Sequence, residues 1–413
     1  MSRVPEADVT GAAIAAVFRE EHGRAVSVLI RSLGDIDLAE DAVQDAFAVA
    51  VARWPADGLP PSPVGWIITT ARNRGIDRLR REATRAQRQT EALLLLARGE
   101  SREEGPVRDD RLRLIFTCCH PALGRPAQVA LTLRLLGGLT TSEIARAFMV
   151  PEATMAQRVV RAKNKIRDAG IPYRVPHDSD LPERLAAVLA VIYLVFTEGH
   201  RATSGDLLVR TDLCAEAVRL ARVLAELMPD EPEVSGLLAL LLLTDARRPA
   251  RTDGAGDLVL LADQRRDLWD RQLIAEGHAL VRACLRRNSP GPYQVQAAIN
   301  AVHTDAPSID ETDWSQVIAL YDQLLVLAPT DVVRLNRAVA VAEVEGPAAG
   351  LALVDALELR DAAAWHVARA DLLSRLGATS EAAAAYDTAI GLTDNAPERD
   401  FLVRRRATLP WVG

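Results

Sequence analysis

Apolar residues along this chain recur at helical spacing almost everywhere, and the every-second-residue alternation that marks a half-buried strand is nearly absent. Between Gly11 and Gly34 the residues Ile14, Val17, Phe18, Val28 and Leu29 share one helical face. A second helix opens at Asp37-Leu38-Ala39-Glu40 and runs on to Trp54, with Asp37 the expected N-cap and Glu40 completing a capping box. Pro55 to Pro63 reads as a stiff turn-rich loop. Beyond it, VGWIITTARNRGIDRLRR predicts a helix that turns Ile68, Ala71, Gly75, Ile76 and Leu79 towards a core. Its other side carries Trp66, Thr70, Asn73, Arg74, Asp77 and Arg81, while Arg72 falls near the packed side as a structural ion-pair partner.

About seventy residues on, the period is interrupted by a turn and resumes. Leu139–Phe148 predicts a first helix, Met149-Val150-Pro151 a turn, and Glu152–Arg167 a second helix with Pro151 where a helix start tolerates it. Met155, Val159, Ala162 and Ile166 recur at four, three and four and face inward. Thr154, Gln157, Arg161 and Asn164 then point outward, flanked by Arg158, Lys163 and Lys165. A helix–turn–helix with such a face suits DNA: short polar side chains reach base edges while cations hold phosphates. The plainer readings are a solvated basic face and a packed helical hairpin without DNA.

The remainder carries a degenerate internal period. EAVRLARVLAELMP ending at Pro229, QVIALYDQLLVLAP ending at Pro329 and EAAAAYDTAIGLTD beginning at Glu381 align. Pro229 and Pro329 lie about three units of 33–34 residues apart, the length of a tetratricopeptide repeat. Glu381, Ala382, Tyr386 and Ala389 keep that repeat's second-helix spacing after a turn at Gly377. Stacked hairpins are therefore expected, with Ala217, Leu220, Leu224, Leu227 and Met228 forming one buried stripe. Residues 251–270 (RTDGAGDLVLLADQRRDLWD) break the pattern with a Gly-rich turn that lacks a phosphate-loop spacing. The fold class is all-α.

Charge adds an asymmetry to this picture. Residues 1–175 hold 26 Lys+Arg against 21 Asp+Glu, a balance of +5, and the other 238 hold 23 against 35, or −12, together the chain's −7. The first part is the expected nucleic-acid partner. With 49% hydrophobic residues, 413 residues bury ample core. No apolar run reaches the roughly 18–20 residues of a membrane span and the start lacks an export signal, so a cytoplasmic protein is expected. Cys118, Cys119, Cys214 and Cys284 have neither disulfide-framework nor zinc spacing, and Cys118-Cys119-His120 reads as a buried helix end rather than a metal site. Glu198-Gly199-His200 lacks a zincin's two histidines; no enzyme, catalytic residue, metal or cofactor is expected.

Taken in order, these elements resemble bacterial sigma factors of the extracytoplasmic-function group. AEDAVQDAF (39–47) is similar to their core-polymerase-binding segment, WIITTARNRGIDRLRR (66–81) to their minus-10 helix, and LTTSEIARAF…PEATMAQRVVRAK (139–163) to their minus-35 reader. YLVFTEGH (193–200), residues 216–248 and Asp263-Gln264…Trp269-Asp270 resemble the subgroup that carries a tetratricopeptide-like extension. The resemblance covers almost the whole chain. It implies region 2 at 1–86, a linker at 87–108, region 4 at 109–172 and the extension at 173–413. It also implies core-polymerase contacts at Asp41, Gln44, Asp45 and Phe47, and minus-10 contacts at Trp66, Asn73, Asp77, Arg78 and Arg81, with Arg74 on the same face. The Asp57–Pro63 loop would capture a flipped base. Minus-35 contacts fall to Glu152, Thr154, Gln157, Arg158 and Arg161, beside Lys163. Thr69-Thr70 and Ala156 depart from the family's usual bulkier or cationic residues, which puts the promoter sequence in question.

The implied partners are core RNA polymerase and promoter DNA, with a regulatory role for the extension and a protein or peptide partner on its concave surface. The implied mechanism is initiation: two tethered readers deliver polymerase, and preferential binding of the unstacked strand favours opening. The rival reading is a tetratricopeptide scaffold whose N-terminal helices bind DNA as a repressor or adaptor. Such a protein needs no acidic docking helix at 39–47.

Overall fold

The computed structural model describes residues 11–85, 110–148, 150–177, 179–202, 206–254 and 256–410. The linker expected at 87–108 and Met149 of the expected turn lie outside these residues. The described chain is built of α-helices, with an isolated β-bridge joining Thr252 to Leu258. It forms two compact units, residues 1–192 and 193–413.

In the first unit α1 (Gly11–Leu33), α2 (Ile36–Asp57) and α3 (Pro63–Arg85) pack on one another. The true N-cap of α2 is Asp35, whose carboxylate accepts from the Leu38 N–H at 2.8 Å. Asp37 thus sits inside the first turn and its side chain is free for another task. Val43, Ala46, Phe47, Ala50 and Trp54 bury one continuous stripe of α2. Phe47 meets Phe18 of α1 edge-on, ring centroids 4.7 Å apart.

The second half of this unit is α4 (Asp110–Cys118), α5 (Arg125–Leu131), a π-turn at Thr132–Leu136, α6 (Thr141–Ala147) and α7 (Glu152–Asp168). Thr140 and Glu143 form a reciprocal capping box at α6, and Met155, Val159, Ala162 and Ile166 of α7 are buried, as the spacing predicts. Cys118 and Cys119 are buried at the end of α4, where burial pushes the Cys119 thiol up to about 11. The neighbouring His120 accepts the Ala122 N–H on Nδ1, closing a turn.

Both halves lie in one unit because α1 touches the second half closely. A Cβ on Gly23 would stand 2.7 Å from the Leu136 carbonyl oxygen, so only glycine permits this approach. Tyr173 donates its hydroxyl hydrogen to the Ser27 carbonyl at 2.9 Å, and Arg31 pairs with Asp110 at 3.3 Å. The division between units falls inside α8 (Leu181–His200), twenty residues beyond the proline-marked boundary at 172/173. The start of α8 packs with the first unit: Arg184 donates to the Phe116 carbonyl at 2.6 Å.

The second unit continues with α9 (Thr211–Leu227), α10 (Pro232–Asp245), α11 (Arg271–Arg287), α12 (Pro292–Asp305), α13 (Trp314–Leu327), α14 (Asp331–Glu345), α15 (Pro347–Asp355), α16 (Ala363–Arg375), α17 (Thr379–Gly391) and α18 (Ala396–Ala407). Neighbouring helices pack in sequence, the arrangement of a hairpin array. The segment that breaks the period, 251–270, folds as short 3-10 turns between α10 and α11. The Asn395 amide, at the N-cap of α18, donates to the Leu207 carbonyl, which ties the end of the unit to its beginning.

Helix α10 is apolar all round, as a central helix must be. Its Glu233 carboxylate accepts from the Tyr293 and Gln294 N–H groups at 3.1 and 3.2 Å, so it caps α12 from a neighbouring hairpin. Gly236 lets the two helices meet, since a Cβ there would lie 2.8 Å from the Gln294 backbone nitrogen. Gly236→Ala is expected to cost about 1–3 kcal/mol by overpacking. Gly391→Ala, with open space around it, should cost nothing. Urea unfolding of both variants checks the contrast.

Candidate nucleic-acid interface

The outer face of α7 is the better formed of the two expected DNA readers. Glu152, Thr154, Gln157 and Arg161 are exposed and Arg158 is half-buried, which follows from the inward stripe fixing the helix's rotation. Thr154, Gln157, Arg158, Arg161 and Lys165 line a hollow of ≈ 350 Å³ against Gly124 and Ala127 at the start of α5. Pro151 caps α7 without a side-chain bond, so the first N–H groups of the helix stay open towards an anion. Hydrogen-bonding side chains here sit beside cations in a concave strip, the arrangement that base-edge reading with phosphate anchoring requires.

Lys163 is not part of that strip. Its ammonium lies 2.7 Å from both Asp37 and Glu40 of α2, with the side chain 12% exposed. Arg134, in the π-turn, reaches the same Glu40 carboxylate at 2.5 Å, and Glu40 is 4% exposed. The physical reason was present in the spacing: position 163 is four beyond Val159 and three before Ile166, so it borders the inward stripe. Lys165 lies on the far side and lines the hollow.

On α2 and α3 the structure brings the expected polymerase-contacting acids against the expected minus-10 arginines. Arg78 pairs with Asp41 at 2.7 Å and Arg74 with Asp45 at 3.8 Å, and all four side chains are about half exposed. Exposed pairs of this kind contribute roughly 0–1 kcal/mol, so a partner offering phosphates or cations can displace them at little cost. Gln44 is exposed and donates to Glu40 at 3.1 Å. Phe47 belongs to the core and cannot meet a partner surface; its position in the Val43–Ala50 stripe gives the signal.

Helix α3 is rotated slightly from the expected setting. Ile67, Ala71 and Gly75 make its buried line, with Ile68, Ile76 and Leu79 half-buried beside it. This rotation carries Arg72 out to solvent next to Asn73, instead of into the expected ion pair. Asp77 and Arg81 are exposed, and Arg81 Nε donates to the Asp77 carbonyl at 3.3 Å. Trp66 is half-buried and meets the buried Trp54 edge-on at 5.4 Å, across the short loop of residues 58–62. Trp54, absent from the expected site, fixes the ring on which a base would stack.

The Glu40 network is held together by mutual need. Burial alone would lower the pKa of the Lys163 ammonium; Glu40 and Asp37 outweigh it and hold it above the ordinary 10.5. A raised cation pKa stabilises fully below the unfolded value and is lost as pH rises through the folded one. The contribution should therefore be flat through neutral pH and fade only in strong alkali. A double-mutant cycle of Lys163→Met and Glu40→Gln is expected to give a coupling of about 1–3 kcal/mol in chemical unfolding.

Comparison with known proteins agrees with this geometry. Sigma-70 region 2 matches residues 17–85, spanning most of α1 and all of α2 and α3, and sigma-70 region 4 matches residues 113–166, α4 to α7. A family of unknown function, DUF6596, matches residues 184–285. An uncharacterized protein of Rhizobium meliloti is 46% identical over 387 residues, 92% of each chain. A probable ECF RNA polymerase sigma factor, SigI, of Mycobacterium tuberculosis is 26% identical over 164 residues, 38% of this chain and 56% of the relative. No solved structure matches. With its two sigma regions in order and a helical unit beyond them, the chain belongs to the extracytoplasmic-function RNA polymerase sigma factors that carry a C-terminal extension.

Proposed function

We propose that the chain directs promoter-specific initiation through three sets of side chains. Asp41, Gln44 and Asp45 on the exposed edge of α2 dock on core polymerase. Trp66, Asn73, Arg74, Asp77, Arg78 and Arg81 on α3 hold the minus-10 strand, joined by Arg72. Glu152, Thr154, Gln157, Arg158 and Arg161 of α7 read the minus-35 element, with Lys165 in place of Lys163. The observation that carries this reading is the hollow over α7, where four of the expected contact residues converge with a cation.

No bond is made or broken by such a protein, and it works in the cytoplasm beside polymerase. Its contribution is a difference in affinity: a strand that has left its stack gains an aromatic platform and arginine contacts that the closed duplex lacks. Readout along a promoter also needs the two readers apart. The pairs of Lys163 and Arg134 with Glu40 hold the two halves together in the free chain, and extension on DNA exchanges them for polymerase and phosphate contacts. The extension regulates this exchange.

Run-off transcription with purified core polymerase and a library of upstream fragments tests the proposal. Transcripts dependent on the protein are expected, and Arg158→Ala with Arg161→Ala should reduce them at least tenfold without loss of core binding. Asp41→Ala with Asp45→Ala should abolish core binding instead. Promoter binding by the chain without any core association would favour the repressor or adaptor reading.

A further inference from the structure

The second unit contains a group of arginines whose charge the protein itself does not neutralise. Arg247, just beyond α10, donates to Asn300 Oδ1 on α12 at 2.9 Å. Arg266 donates to the carbonyls of His303 and Ala306 at the end of the same helix, at 2.7 and 2.8 Å. Asn300 and His303 are one turn apart, so the two guanidiniums lie along one face of α12 within about 5–6 Å of helix surface. Arg251, a turn beyond Arg247, donates to the His200 carbonyl at the end of α8.

None of the three has a carboxylate within 4 Å among the described residues. Of the acids nearby, Asp245 is paired with Arg248 at 2.9 Å and Glu398 with Arg201, while Glu311 faces Arg266 and accepts only the neutral Ser308 hydroxyl at 3.1 Å. The helix ends that Arg266 and Arg251 meet supply about half a negative charge each. With the Glu311 carboxylate counted against Arg266, roughly one positive charge remains uncompensated. Burial and the flanking arginines push His200 down to about 2 and His303 to about 4, so both rings stay neutral and the charge stays on the arginines.

The same place holds several of the unit's unpartnered polar atoms. Arg247 Nε, Arg266 Nη2 and the Nε1 of Trp269, a ring 3% exposed, are closed to water and have no acceptor. Arg266 stacks over Trp269 at 4.5 Å. Arg247, Arg251 and Arg266 are themselves only partly covered. A buried donor without an acceptor costs about 1–3 kcal/mol, and three such N–H groups on or beside cations ask for a shared acceptor beyond the Gln264 Oε1 that the same segment leaves unpartnered.

We propose that Arg247, Arg251 and Arg266 form a binding site for a small oxyanion, a phosphate or carboxylate group, in the extension. The site uses none of the polymerase or DNA surfaces and stands whether or not those assignments hold. Guanidinium forks match the oxygens of either group, and Trp269 adds a donor beside a flat apolar wall. Ligand occupancy of a helical array that belongs to a transcription factor would make its stability depend on a metabolite's concentration.

The test is thermal unfolding of the full chain with inorganic phosphate, with malonate, and with sodium chloride at equal ionic strength. The melting point of the second unit is expected to rise roughly 3–6 °C per tenfold increase in the preferred anion once binding saturates. Chloride should give no such rise. A response to phosphate alone assigns a phosphorylated ligand, and one to malonate alone a carboxylate ligand. Arg247→Met and Arg266→Gln should each remove the response while melting close to the parent in its absence, because losing a cation with no carboxylate within 4 Å offsets the loss of its hydrogen bonds to α12. The proposal falls if neither anion exceeds chloride, or if both variants keep the full response. It falls equally if both variants melt well below the parent without anion, since the arginines would then be structural.

Discussion

A carboxylate removed from water must be surrounded by cations, and Glu40 imposes that condition on the first unit. It sits on α2, but its two cations come from the π-turn and from α7, far along the chain. Each partner alone would be an unpaired buried charge, so the three are stable together and costly apart. With the close seat of Gly23 on Leu136 and the Tyr173 hydroxyl on Ser27, this fixes how two halves that could fold separately meet. The exposed faces of α2, α3 and α7 are arranged by what those buried groups hold.

The second unit follows a different logic. Its core is made by local hairpin packing, with α10 apolar on every side and capping α12 through Glu233. Charge enters where the period breaks, in the turns between α10 and α11. There arginines donate to helix-end carbonyls and an amide, not to carboxylates. The two units thus use charge differently: around Glu40 it is paired with carboxylates, and around Arg247 and Arg266 it rests on carbonyl and amide oxygens.

Much of the candidate interface was legible in the sequence because a helix's rotation follows from its apolar stripe. The α7 stripe is unambiguous, and the outward residues Thr154, Gln157 and Arg161 follow from it. The errors lie at the edges of stripes. Phe47 and Lys163 border an inward face, and Arg72 moved outward because the buried line of α3 runs through Ile67 instead of Ile68. One residue's difference in register rotates a helix by about 100°, enough to exchange a core position for a contact position. The capping error at Asp37 has the same character: Asp35 takes the backbone bond and releases Asp37 to Lys163.

The sequence by itself determined the helical class, the order of the two sigma regions and the helical unit after them, and the faces of its most regular helices. These depend on contacts within a few residues, where 3.6-residue periodicity and turn chemistry govern the outcome. Only the tertiary structure decided that Glu40 is a buried partner of Lys163, that Trp54 supports Trp66, and that Arg247 and Arg266 share one face of α12. Each of these joins residues from different helices, and no local period encodes which distant side chain will neutralise a charge or leave it exposed.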